Sequence, residues 1–219
     1  MQKPLMQRGK FITFEGSEGC GKSTQIKRFV ASLEKHAIEV IQTREPGGTV
    51  VGEKIRNLLQ FDEETADLTS ESELLLFAAS RAQLVRRVIE PALEAGSWVV
   101  ADRFLDSTAV YQGVGRGLDL DAVTAINRFA VGRAMPDLTL LLDLDVTIGH
   151  ARAVAASGGK KDRMEDQPLD FFELVRKGYL ELAAADPERI AVIDASASID
   201  EVSAAIDACF NSRLGGVQG

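Results

Sequence analysis

Short apolar runs alternate along the chain with stretches in which apolar residues recur every three or four positions. Residues 10–15, KFITFE, are aromatic and β-branched and predict a buried parallel strand. Ile26, Phe29, Val30 and Leu33 then fall at helical spacing, which predicts a helix from 22 to about 36. IEVIQT, 38–43, predicts a second strand, and TREPGGT, 43–49, a turn by its Pro and Gly. Residues 51–61 carry Ile55, Leu58 and Leu59 on one helical face. A long helical stretch follows over 69–95, which Pro91 is expected to kink or end. SWVVAD, 97–102, predicts a strand that finishes on a carboxylate. GVGRG, 113–117, reads as a loop between helical segments, and TLLLDLD, 139–145, as another buried strand. A fifth strand is expected over 189–194, a last helix over 199–210, and a frayed tail at 215–219. Strands alternating with helices predict an α/β fold, a five-stranded parallel sheet with helices on both faces. Ligands then belong at the C-terminal ends of the strands.

Length allows one such domain, 1–219, or at most a domain plus a lid. The polar, charged and Gly-containing segment at about 156–167 is the candidate lid, read as a mobile surface loop. Apolar content of 45% is that of a globular protein. No apolar run approaches the roughly 18 residues that would span a membrane. The basic start is followed by too short an apolar stretch for a signal peptide, so a cytoplasmic protein is expected. A net charge of −8 argues against a general nucleic-acid surface. It also makes arginines near any anion site informative.

Chemistry concentrates first in 16–24, GSEGCGKST. Gly16, Gly21, Lys22 and Ser23 fit the phosphate-loop pattern, set between a strand and a helix as that motif requires. Glycines let the backbone N–H groups of Ser17, Glu18, Gly19 and Cys20 converge on an anion, and the helix N-terminus adds partial positive charge. Lys22 is expected to reach the terminal phosphates of a nucleoside triphosphate and Ser23 to ligate Mg²⁺, with Thr24 the last residue of the binding stretch. Asp102 and Arg103, before Phe104, stand where a buried strand ends. Asp102 could hold Mg²⁺ or merely cap the following helix, and Arg103 could clamp a phosphate. Asp143 and Asp145 are second candidates for the metal.

Seven blocks in order, FEGSEGCGKST, TREPGGT, GEKIRNLL, LLLFAASRAQ, ADRFLDSTAVYQGVGR, PDLTLLLDLD and KKDRMEDQPLDFF, resemble the bacterial thymidylate kinases along most of the chain. The resemblance implies transfer of the γ-phosphoryl of ATP to dTMP with Mg²⁺, and commonly a homodimer. Phe77 and Arg81, four apart on one helical face, would stack on thymine and donate to its 4-oxo group. Arg56 and Arg103 would hold the acceptor phosphate, with Arg44 adding charge nearby. The plainer reading of Arg44 and Arg56 is surface charge. Glu45–Pro46 matches the family's turn at the acceptor site, where the peptide bond is expected to be cis. Thr108, Tyr111 and Gln112 fall at the nucleoside, Tyr111 against the sugar, and Glu18 would approach that sugar.

Family members place a catalytic arginine either in the phosphate loop or in the lid. Ser17, Glu18, Gly19 and Cys20 include no base, whereas the lid offers Lys160, Lys161 and Arg163. The chain therefore resembles the lid-donating kind, with Arg163 of the Asp162–Arg163 pair the first choice. The apolar face of 73–88 would serve either a dimer or packing on the sheet. Cys20, beside Lys22 at a helix N-terminus, is the expected reactive thiol unless its side chain points beneath the loop; Cys209 is expected to pack as a small hydrophobe. Two rivals remain: a kinase of the same architecture for another nucleoside or nucleotide, and a nucleotide-sensing module without turnover.

Overall fold

The computed structural model describes residues 8–65, 67–157, 163–164 and 166–215. Its centre is β1, Phe11–Glu15, buried at every position. The other strands are β2 Val40–Arg44, β3 Trp98–Asp102, β4 Leu138–Asp143 and β5 Ile190–Asp194. All pair in parallel, in the order β2-β3-β1-β4-β5. Both faces are covered at the central strands β1, β3 and β4, which is why these read as near-continuous apolar runs. Ile12 and Phe14 point to one face, toward α1 (Lys22–Lys35) and α9 (Ile199–Leu214). Phe11, with Val99 and Ala101, points to the other, where Phe104 meets Phe11 edge-on at 4.9 Å. The register sets Phe14 and Arg44 level with Asp102, so the strand ends share one rim.

Helix α2, Val50–Gln60, is capped by the Thr49 side chain. The expected helix over 69–95 is continuous but changes pitch. α3, Ser70–Leu84, passes through a wide turn, Val85–Ile89, into α4, Glu90–Glu94. Pro91 does not end it at once: the helix runs on to Glu94, and the wide turn lies just before the proline. The face of 73–88 packs inward: Leu74, Ala78, Leu84 and Val85 are buried.

Residues 113–115 correct the expected loop. They belong to a wide helical turn, Ala109–Gly115, that continues α5, Leu105–Thr108. A Cβ on Gly115 would lie 2.6 Å from the Phe171 ring, so this glycine permits close helix packing and does not mark a break. Then come α6, Leu120–Val131, α7, Val146–Ser157, and α8, Leu169–Ala185. Of the candidate lid, the start is the end of α7 and Met164 is buried against the Phe171–Phe172 cluster, so that part is not a free surface loop. Lys160, Lys161 and Asp162 lie outside the described residues. No helix among the described residues is long and apolar enough to cross a membrane.

Candidate active site

A cavity of about 560 Å³ opens over the C-terminal ends of β1, β2 and β3. One end is the loop between β1 and α1. Its tightness is visible at Gly19, φ +69°, where an added Cβ would stand 2.0 Å from the Gly149 carbonyl of α7. Glu18, Gly19, Gly21, Lys22, Ser23 and Thr24 line the cavity, whereas Gly16, Ser17 and Cys20 support them from outside its wall. α1 has no acidic residue in its first turn and no side-chain cap, which leaves its N-terminal donors to an anion. Lys22 is curled over the loop and donates to the carbonyls of Gly16 at 3.0 Å and Ser17 at 2.9 Å. Cys20 corrects the expected reactive thiol. It is buried in the core under the loop, 3% exposed, with Lys22 Nζ 3.6 Å from its Sγ. Cys209 packs against the same core, and burial pushes its thiol up.

Arg103 stands at the middle. Its φ of +66° is left-handed, a strain of about 1–2 kcal/mol for a residue with a Cβ. Two hydroxyls hold the guanidinium, Ser107 Oγ and Tyr179 OH, each at 3.2 Å. It ion-pairs with Glu18 and lies 5.0 Å from the centre of the Tyr111 ring. Buried Glu15 supports the arrangement by accepting from the Phe104 N–H at 2.8 Å, Ser107 Oγ at 2.7 Å and Tyr179 OH at 2.8 Å. Burial, with Asp106 nearby, pushes the Glu15 carboxyl up against the pull of Arg103. For Glu18 burial also acts upward, but Arg103 and Lys22 together outweigh it and hold the carboxyl below its ordinary value.

The far end is a buried side-chain network. Arg81, 1% exposed, donates to Glu45 through Nε at 2.8 Å and Nη2 at 2.5 Å. Nη1 donates to Asn127 at 2.6 Å, and Nη2 also reaches the Phe104 carbonyl and Thr108 Oγ1. A guanidinium has five N–H groups, and the second hydrogen of Nη1 meets no acceptor among the described residues. Burial pushes the Glu45 carboxyl up to about 7 despite Arg81. The Glu45–Pro46 bond is cis, as expected. Arg44 pairs with Glu53 at 2.8 Å, and Arg56 donates to the Pro46 carbonyl at 3.1 Å; both line the cavity. Phe77, Thr108, Tyr111 and Gln112 complete this end.

Ser23 and Asp102 line the same cavity, and both offer the hard oxygen that Mg²⁺ takes. No metal cluster of three His, Cys, Asp or Glu exists among the described residues. Mg²⁺ commonly takes only one or two protein carboxylates beside substrate phosphates. Asp143 and Asp145 are engaged elsewhere: Arg176 holds Asp143 at 2.7 and 2.9 Å and lies 3.9 Å from Asp145. Arg163 does not line the cavity. It pairs with Glu73 at 2.6 Å, and its Nε donates to the Leu59 carbonyl at 2.9 Å.

Sequence reasoning missed Glu15, Tyr179, Glu73 and Arg152. Glu15 was within reach, as a carboxylate closing a buried strand directly before Gly16. Arg152 lines the cavity from α7, one helical turn before the candidate lid. Nothing local marks Tyr179 or Glu73, whose partners are distant in sequence.

A family model described as thymidylate kinase matches residues 14–206. A thymidylate kinase of Desulfosudis oleivorans is 51% identical over 88% of this chain and 92% of its own length. One of Geobacter sulfurreducens is 48% identical over 94% and 98%. The crystal structure of thymidylate kinase from Ehrlichia chaffeensis superposes with a TM-score of 0.76 at 31% identity, covering 93% of this chain and 99% of that one. Matches of this extent, over the same span as the strand-end cavity, place the chain in the thymidylate kinase family.

Proposed function

We propose that the chain transfers the γ-phosphoryl group of ATP to dTMP, giving dTDP and ADP. The observation that carries this is one continuous cavity with two unlike ends, a phosphate loop at one and the buried Arg81–Glu45 network at the other. ATP would place its phosphates on the loop backbone and the α1 N-terminus, with Lys22 leaving its loop carbonyls to meet them. Ser23 and Asp102 would hold Mg²⁺, which supplies positive charge to the phosphates when bound. At the other end Phe77 would lie against the base and Arg81 Nη1 would donate to its 4-oxo group. The acceptor phosphate would take Arg103 from Glu18, with Arg56 and Arg44 beside it. Glu18, so released, would turn to the acceptor sugar, where Tyr111 leaves little room for a 2′-hydroxyl.

Phosphoryl transfer spreads negative charge, so positioned cations do most of the work. Arg163 is the proposed lid cation, leaving Glu73 as the segment 156–167 closes; Arg152 already faces the cavity. The proposed setting is a cytoplasmic homodimer of single kinase domains. In support of the dimer, Leu75 on α3 and Phe129 on α6 present apolar surface, 55% and 85% exposed.

A coupled ADP-release assay with a panel of monophosphates tests the reading. Leaving Arg81 unpaired against a 4-amino base costs roughly 1–3 kcal/mol, whereas losing the 5-methyl costs only about 0.8 kcal/mol. The expected order is dTMP, then dUMP, then dCMP far below. Equal use of dCMP, or preference for a ribonucleotide, would point to the rival kinase. ATP binding without turnover on any acceptor would point to a sensor.

A further inference from the structure

Glu73, in the first turn of α3, is 1% exposed, and beyond holding Arg163 it has no part in the mechanism above. Its carboxylate gathers donors from two distant segments. Gln112 Nε2 donates to Oε1 at 2.8 Å. Arg116 approaches through Nε at 3.3 Å and Nη2 at 3.4 Å. Arg163 pairs with Oε2 at 2.6 Å.

A carboxylate held between two guanidinium groups only accepts. Whichever end of the Gln112 amide faces it must therefore be the NH₂, since the reverse would press carbonyl oxygen on carboxylate oxygen. This settles the amide orientation by chemistry. Gln112 Oε1 is the end left over. It belongs to a residue that lines the cavity, and no donor reaches it among the described residues.

We propose that Glu73 is a positioning residue for base choice: by fixing the Gln112 amide it presents an acceptor to the cavity beside the Arg81 donor. The inference rests on the acceptor reading given above and deepens it. A ring N–H next to a carbonyl, as in thymine and uracil, matches an acceptor next to a donor. Cytosine presents a lone pair at N3 and an amino group at C4, the inverse of both. Arg81 reads the oxo group, and Glu73, acting through Gln112, sets the reading of N3. A carboxylate offers Gln112 only acceptors; with a neutral amide in its place Gln112 can turn over and donate to N3.

Calorimetric binding of dTMP and dCMP to the wild-type protein and to Glu73→Gln tests this, with Mg–ATP binding as the control for folding at the remote phosphate loop. The preference for dTMP over dCMP is expected to fall by about tenfold to a hundredfold in the variant, through tighter dCMP as well as weaker dTMP binding. ATP affinity should stay unchanged. A merely structural role would weaken both nucleotides together, and an unchanged ratio overturns the proposal. Should Glu73→Gln not fold, the wild-type protein answers by NMR. One Nε2 proton of Gln112, assigned by its loss in Gln112→Leu, should be shifted downfield and protected from exchange, and an ordinary exposed amide signal overturns the proposal. Equal binding of dTMP and dCMP by the wild type overturns the acceptor reading as well; a wild-type preference that survives Glu73→Gln overturns only the role of Glu73.

Discussion

The two ends of the cavity are built by different means. The phosphate end is backbone: the loop before α1 and the first turn of that helix, with Lys22 resting on carbonyls five and six residues back. The base end is side chain: Arg81 from α3, Glu45 after β2, Asn127 from α6 and Thr108 from α5, joined by buried hydrogen bonds. A backbone cradle binds any triphosphate presented to it. A buried network of charges and hydrogen bonds accepts one pattern of donors and acceptors and is costly to alter. On the proposed assignment, triphosphate binding and acceptor choice are separated in space, and Arg103 with Glu18 lies between them.

The separation can be broken from the phosphate side first. Lys22→Met should cut turnover by on the order of 10³-fold or more, and by the same factor for dTMP and dUMP. A change in that ratio would mean the ends are not independent. Next, Arg163→Ala should lower kcat by up to about 10³-fold with little change in dTMP affinity, because a lid cation meets charge that develops only in the transition state. Near-normal turnover would move the role to Arg152→Ala, tested in the same assay.

From the base side, Arg81→Ala leaves Glu45 buried without its cation and should cost about 3–5 kcal/mol in urea unfolding. Loss of less than about 1 kcal/mol would show that the network contributes little to stability. The smallest effect concerns pH. The folded-state value of Glu45, about 7, lies above its ordinary 4.5. Its stabilising contribution is therefore present in full below pH 4.5 and lost as pH rises through about 7. Glu45→Gln removes this loss. The stability of the variant relative to the wild type should increase from pH 5 to pH 8, approaching roughly 3 kcal/mol at most. A flat difference would contradict the burial argument.

The same contrast explains what the sequence made legible. The phosphate end is contiguous, so spacing alone locates Gly16 through Thr24. Strands and most helices follow from periodicity, because both faces of the sheet are covered. Where side-chain volume decides, spacing misleads. Gly115 looked like a loop residue, yet it admits the Phe171 ring. Cys20 looked reactive by its neighbours, yet its side chain turns into the core. Asp143 ends a strand as Asp102 does, but Arg176, 33 residues later, occupies it. Glu73 and Tyr179 act through partners at least 39 residues away, and no local signal carries that.

The central claim is that phosphate and base ends serve one transfer. The most direct measurement is ³¹P NMR of the wild-type protein with Mg–ATP and dTMP, following the products as they form. Stoichiometric appearance of dTDP and ADP, with no inorganic phosphate released, is the predicted result. Inorganic phosphate in place of dTDP, or no consumption of ATP, would contradict it.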